Sequence, residues 1–161
     1  MGLPDAVSSV LVRQAIVADA PLLARLRFEF RAGQGAVSET EAAFRARCEP
    51  WMAARLGPTG VWRAWVAEAA GAIVGTAWLQ LVEKIPNPTM EPETIGYVSS
   101  LYVQPAWRHH GIGAALLTTC IRACEEADVD ATILWPTPRS RSLYERAGFT
   151  VSDELLQKRG K

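Results

Sequence analysis

Apolar residues recur in the second half of the chain at Ile112, Leu116, Cys120, Ala123 and Ala127, while Thr118, Arg122, Glu125 and Glu126 form a polar stripe at the same helical spacing. That pattern predicts an amphipathic helix with a wide buried face. Ahead of it, Val98 to Val103 is rich in β-branched, aromatic and leucine residues, which predicts a strand. Pro105 ends the strand because it has no backbone N–H to offer a neighbour. Between the two lies Arg108, His109, His110, Gly111, Ile112, Gly113, a turn from which the helix starts.

The remaining elements follow from the same kind of pattern. Ser9 to Ile16 forms a first strand, and Asp19 is placed to cap a helix that has Pro21 in its first turn and runs to about Arg31. Gly33 and Gly35 end it. Ser38 with Glu41 three residues later makes a capping box that opens a second helix, Glu39 to about Leu56, closed by Gly57 and Pro58. Trp62 to Ala69 and Ile73 to Leu81 are strands joined across Ala70 and Gly71 as a hairpin. Pro86, Asn87, Pro88 and Pro92 make the next segment a loop. A fourth strand spans about Thr94 to Val103. After the amphipathic helix come a short strand, Ala131 to Trp135, a helix from Ser140 to Ala147 stopped by Gly148, and a final strand or pair of short strands from Phe149. Early hairpins followed by one strand-helix-strand crossover predict an α/β fold, a three-layer sandwich with a mixed sheet.

Composition narrows the class without changing this picture. The 161 residues are the size of a single domain, 1–161, large enough to bury a core without staples. The 17 basic residues balance the 17 acidic ones, so nothing electrostatic favours nucleic acid or an anionic membrane. The start, MGLPDAVSSV, has no basic region, and no apolar run approaches bilayer length; a cytoplasmic location is the expectation. Cys48, Cys120 and Cys124 read as small buried hydrophobes, with no cluster of partners to make a metal site.

The turn carries the chemistry. Free N–H groups at a helix start, backed by the positive end of the macrodipole, suit a phosphate. Gly111 and Gly113 remove Cβ atoms that would hold a ligand off, and Arg108 adds a fixed charge that can fork onto phosphate oxygens. The same two glycines also serve a tight turn that only lets helix and strand pack. There is no Walker lysine and no G-x-G-x-x-G.

R-x-x-G-x-G directly after a strand reading SSLYVQP closely resembles the acetyl-CoA motif of the GCN5-related N-acetyltransferases. Downstream, SLYERAGF (Ser142 to Phe149) resembles that family's closing helix-to-strand motif with its tyrosine. The close resemblance covers about Ile95 to Val151. It implies an acyl-CoA N-acyltransferase fold whose sheet splays centrally, with acetyl-CoA as cosubstrate and no metal. The pantetheine arm would pair with backbone of Leu101 and Val103, with Trp135 on the facing strand. The Val103 N–H would polarise the thioester carbonyl. The diphosphate would lie over Gly111, Ile112, Gly113 and Ala114, beside Arg108, His109 and His110. The two histidines, at the phosphate end, otherwise read as solvent-facing loop residues.

By the same resemblance Tyr144 is the general acid. Its phenol, near pKa 10, is nearly matched to a departing thiolate. Where the family often has asparagine ahead of this tyrosine, Thr137 or Ser140 stands here. For a general base, Glu93 before the fourth strand and Glu83 at the end of the third are candidates by position, directly or through water, as against exposed carboxylates serving solubility. The acceptor would be an amine of a small molecule, a peptide or a protein terminus, selected by the helical pair and the proline-rich loop, and the protein a monomer or homodimer. Of Trp51, Trp62, Trp65, Trp78, Trp107 and Trp135, some can line the acceptor pocket and most belong to the core. Arginines 25, 27, 31, 45, 47 and 55 read as solvated helix faces. A non-catalytic acyl-CoA sensor is the alternative, which an intact Tyr144 disfavours.

Overall fold

A computed structural model describes residues 9–35, 37–57 and 59–160. Among these residues, five strands form one sheet: β1 (Leu11–Gln14), β2 (Trp62–Ala69), β3 (Ala72–Glu83), β4 (Thr94–Val103) and β5 (Ala131–Ile133), in sequential order. The first four pair antiparallel and β5 runs parallel to β4. Helices α1 (Ala20–Ala32) and α2 (Glu41–Ala53) cover one face, and α3 (Ile112–Glu126) and the short α4 (Arg141–Arg146) the other. This is the three-layer arrangement expected, with a mixed sheet at its centre.

The two-residue period of a strand sorts side chains into the two cores. Trp65, Ala67 and Ala69 of β2 pack with Leu116, Leu117 and Cys120 of α3, whereas Ala64 and Val66 pack with Leu23 and Leu26 of α1. Ala70 and Gly71 both have positive φ, 50° and 75°, which fits the two-residue turn that a right-twisted hairpin requires.

The cysteines of α3 are fully buried in the layer against the sheet. Cys124 sits so close to β4 that a Cβ on Gly96 would lie 2.6 Å from its sulfur. Gly96→Ala is therefore expected to destabilise the fold by about 1–3 kcal/mol through overpacking, read as a lower denaturation midpoint; Cys124→Ala in the same chain should restore part of the loss.

Several boundaries differ from the sequence-based expectation. β1 is four residues, because Val17–Asp19 turns into a 3-10 segment. Asp19 does not cap α1 with its side chain; its carboxylate instead accepts the Ile16 N–H at 2.8 Å and a two-pronged contact from Arg13 at 2.8 and 3.0 Å. Thr40, not Ser38, caps α2: its backbone is extended and its hydroxyl accepts the Ala43 N–H at 3.2 Å. Glu41 thereby falls in the first turn, where the macrodipole favours an acid. The helix ends at Ala53 rather than Leu56, and Pro58 lies outside the described residues.

β5 stops at Ile133, so Trp135 lies beyond it. The strand expected from Phe149 does not form. β5 offers a ladder only three residues long, and none of residues 150–160 makes a backbone hydrogen bond to the sheet. Val151, Leu155 and Leu156 remain exposed, Leu156 at 93%.

Candidate active site

The site begins where the sheet opens. β4 and β5 are paired through Ile95, Gly96 and Tyr97 only, so from Val98 onward β4 has no partner on that side among the described residues. On its other side, β4 carries a bulge: Trp78 faces Ser99 and Thr76 faces Tyr102, leaving Ser100 and Leu101 opposite Ala77 alone. Ser100 has φ 53°, in the left-handed region. The extra residue resets the alternation, so Val98, Leu101 and Val103 pack toward α3 while Ser100 and Tyr102 turn toward α1.

Beyond the bulge the ladder with β3 is regular. Gln104 donates its N–H to Val74 at 2.9 Å, and by alternation Leu101 and Val103 direct their backbone groups into the opening. The Arg108 guanidinium confirms the direction, since its Nε donates to the Val103 carbonyl at 2.9 Å from the open side. That contact commits one edge of Arg108 to the strand. Its cation lies 5.7 Å from the centre of the Tyr102 ring.

The turn then delivers α3. His109 has φ 65° and Gly111 φ 78°, and for Gly111 this conformation, not crowding, is the reason for glycine: no atom lies within 4 Å of where its Cβ would be. The first backbone bond of the helix runs from the Ala115 N–H to the Gly111 carbonyl, 3.0 Å. The N–H groups of Ile112, Gly113 and Ala114 precede it, and no side chain caps them. All three residues line the opening.

These parts enclose one cleft of about 560 Å³. Of the residues singled out from sequence, it brings together Leu101, Val103, Arg108, His109, Gly111, Ile112, Gly113, Ala114, Trp135 and Tyr144. Trp135 is 52% exposed and meets Tyr97 edge to face at 5.1 Å. His110 is not in the lining; it is exposed, with Nδ1 3.3 Å from the Trp107 carbonyl. Glu83 and Glu93 are exposed and also outside the lining. Glu93 precedes Tyr97, the first cleft residue of β4, by four positions, about 13 Å along a strand.

Tyr144 reaches the cleft from α4 and is 8% exposed. Burial pushes its phenol above the ordinary value, and the Ser140 side chain offsets part of that rise. Ser140 is itself tied to Thr137: the two hydroxyls are 2.9 Å apart, and the Thr137 N–H donates to Ser140 Oγ at 2.9 Å. The two residues that stand where asparagine is frequent thus form a closed turn around the base of α4.

Sequence reasoning missed the arginines on the wall. Arg27 and Arg31, expected on a solvated helix face, line the cleft together with Arg139 and Arg146. The signal lay in their spacing. Arg25 and Arg45 have glutamates four residues away and pair with them, whereas neither Arg27 nor Arg31 has an acidic residue three or four positions away. Fewer tryptophans belong to the core than expected: Trp65 and Trp78 are buried, Trp62 and Trp107 are partly buried, Trp51 is 39% exposed, and Trp107 and Trp135 line the cleft. Burial pushes the Cys120 and Cys124 thiols up, which leaves them unreactive. Among the described residues, no group of three or more His, Cys, Asp or Glu is arranged to hold a metal ion, and no helix is long and apolar enough to cross a membrane.

A mixed sheet parted between two parallel strands, with an uncapped helix start at the mouth of the gap, defines the acyl-CoA N-acyltransferase fold. The sequence matches the Acetyltransferase (GNAT) family over residues 27–149, and the chain belongs to that family, the GCN5-related N-acetyltransferases. A mycothiol acetyltransferase from Frankia alni is 31% identical over 123 residues, 73% of this chain and 34% of that protein, so the chain spans about a third of that relative's length. The crystal structure of a GCN5-related N-acetyltransferase from Ralstonia eutropha JMP134 superposes with a TM-score of 0.78 at 28% identity, over 93% of this chain and 98% of that one. A predicted acetyltransferase from Clostridium acetobutylicum, solved with acetyl-CoA, shares the fold with a TM-score of 0.79 at 22% identity, over 94% and 96% of the two chains.

Proposed function

We propose that this acetyltransferase moves an acetyl group from acetyl-CoA to a primary amine, with Tyr144 as general acid. The observation that carries the reading is that a single cleft holds the uncapped start of α3, the unpaired edge of β4 and the Tyr144 phenol. Each answers a different part of one molecule. The α3 N–H groups and the Arg108 guanidinium would hold the diphosphate. The Leu101 and Val103 backbone would pair with the pantetheine amides as a strand would. The Val103 N–H would then stabilise the negative charge that develops on the thioester oxygen as the amine attacks. The amine nitrogen bonds to the acyl carbon, the carbon–sulfur bond breaks as Tyr144 gives its proton to the leaving sulfur, and the N–H proton that the new amide sheds returns through water to the Tyr144 phenolate, leaving amide and CoA thiol.

The amine must arrive neutral, and no carboxylate among the described residues lines the cleft to take its proton. Glu93 and Glu83 could act only through a long path of solvent. The lining arginines supply another means: positive neighbours disfavour the ammonium form and lower the pKa of a bound amine, so the neutral form is selected and bulk water takes the proton.

Calorimetric titration with acetyl-CoA, CoA and ATP tests the cofactor site. Micromolar affinity for the two CoA forms, about 8 kcal/mol, with none for ATP supports it; no binding of either overturns it. Gly113→Ala sharpens the result. A Cβ there would meet Leu143 and Val103 side chains at ordinary contact distances, 3.5 and 3.9 Å, so the fold should tolerate it. Both neighbours line the cleft, and the methyl group would crowd the diphosphate. Affinity for acetyl-CoA is expected to fall about tenfold, or 1.4 kcal/mol, at unchanged thermal stability.

A further inference from the structure

The cleft has more positive charge than a cofactor diphosphate requires, and the surplus lies on the other side of the sheet. Arg108 belongs to the turn before α3, Arg139 precedes α4 and Arg146 ends it, all on the α3 face. Arg27 and Arg31 come from α1, which covers the opposite face. The opening between β4 and β5 passes through the sheet, so an acceptor entering from the α1 side meets these two arginines before it reaches Val103.

Neither has a carboxylate partner among the described residues. Arg27 is half-buried, and its one hydrogen bond is a long contact, 3.4 Å, to Ser100 Oγ on the β4 bulge. Arg31 touches only the Gln34 amide oxygen, 3.1 Å. They stand four residues apart on one helix, so each works against the other's charge. Burial and the neighbouring Arg31 both press the Arg27 guanidinium toward its neutral form. Other arginines of the same helical pair are neutralised, Arg25 by Glu29, Arg45 by Glu49 and Arg47 by Glu39. A half-buried cation left unpaired at a cleft wall, with a second beside it, is a receptor for an oxyanion.

We infer that the acceptor is an anionic amine, carrying a carboxylate or a phosphate monoester that Arg27 and Arg31 hold while the amine is presented to the thioester. This rests on the acetyl-transfer reading and names the substrate class for it. The same arrangement gives direction: the anion is fixed on the α1 side, and the amine points toward β4. It also reconciles a cationic wall with an amine substrate, since the anion offsets the repulsion that Arg27 and Arg31 would otherwise exert on it.

The experiment uses matched probes: β-alanine against β-alaninamide, and phosphoethanolamine against ethanolamine. Each is titrated calorimetrically into free and CoA-loaded protein, and each is assayed for thiol release from acetyl-CoA. The expected result is binding of at least one anionic probe about tenfold or more tighter than its neutral partner, and the pair that shows it separates carboxylate from phosphate. Arg27→Gln should abolish the preference by raising KM more than it lowers kcat, and Arg45→Gln, on α2, should leave it intact. If Arg27→Gln fails to fold, Arg31→Gln on the exposed turn gives the same reading. Equal binding within both pairs, or a preference that survives both substitutions, overturns the inference. Failure of CoA itself to bind would overturn the acetyl-transfer reading instead, and anion binding would still be read on the free protein.

Discussion

Tyr144→Phe is expected to lower turnover by about 10²–10³-fold, with little change in acetyl-CoA affinity or in melting temperature. Phenylalanine keeps the ring and with it the edge-to-face packing on Phe149, 5.9 Å between centres, so only the hydroxyl is lost. Stopped assays of thiol release with saturating acetyl-CoA give kcat, and calorimetry gives the affinity. Undiminished turnover would remove Tyr144 from the chemistry.

The pH profile separates an acid from a group that merely packs. Burial raises the phenol above its ordinary value of 10.0. A proton donor must be protonated, so its contribution is complete below that raised pKa and is lost only as pH rises through it. Wild-type kcat should therefore show no basic limb below about pH 10, and the small residual rate of the phenylalanine variant should have none at all. The match between phenol and sulfur survives the shift, because the burial that disfavours the phenolate disfavours the departing thiolate as well.

The parts of the site that were legible in the sequence are those built from backbone. Gly111 and Gly113 mark a tight turn, Pro105 the end of a strand and the spacing from Ile112 to Ala123 a helix. Such features depend on local chemistry alone. The open edge of β4 was implied only by the family resemblance. The bulge at Ser100 was not read, although the paired serines in Tyr97-Val98-Ser99-Ser100-Leu101 break the strict alternation that a regular strand would keep. Arg27 and Arg31 were misread because membership in a charged helix was weighed without asking whether each charge had a partner within one turn. The absent strand after Phe149 has another cause: strand propensity is satisfied only by a neighbouring ladder, and β5 ends too soon to supply one.

Asp19→Ala is expected to destabilise the protein by about 3 kcal/mol, which for a chain of this size lowers Tm by roughly 6–12 °C. The carboxylate is 6% exposed and holds three donors: two nitrogens of Arg13 and the Ile16 N–H. Removing it strands the Ile16 donor and leaves Arg13 with one carboxylate, Glu68 at 2.7 Å, and the Gln14 carbonyl at 3.1 Å. The Arg13 guanidinium, more than any other group, holds the Asp19 carboxyl below its ordinary value of 3.8. A depressed carboxyl contributes its full stability above the unfolded pKa and loses it as pH falls through the folded one. The difference between wild type and Asp19→Ala should accordingly be constant at neutral pH and shrink below about pH 4, measured by urea denaturation across that range. Asp19 immediately precedes Ala20, where α1 begins, and α1 carries Arg27 and Arg31 into the cleft. At temperatures where the variant stays folded, a looser start to that helix should weaken discrimination between anionic and neutral amines before it affects acetyl-CoA binding, because the diphosphate site is built on α3, on the opposite face of the sheet from α1.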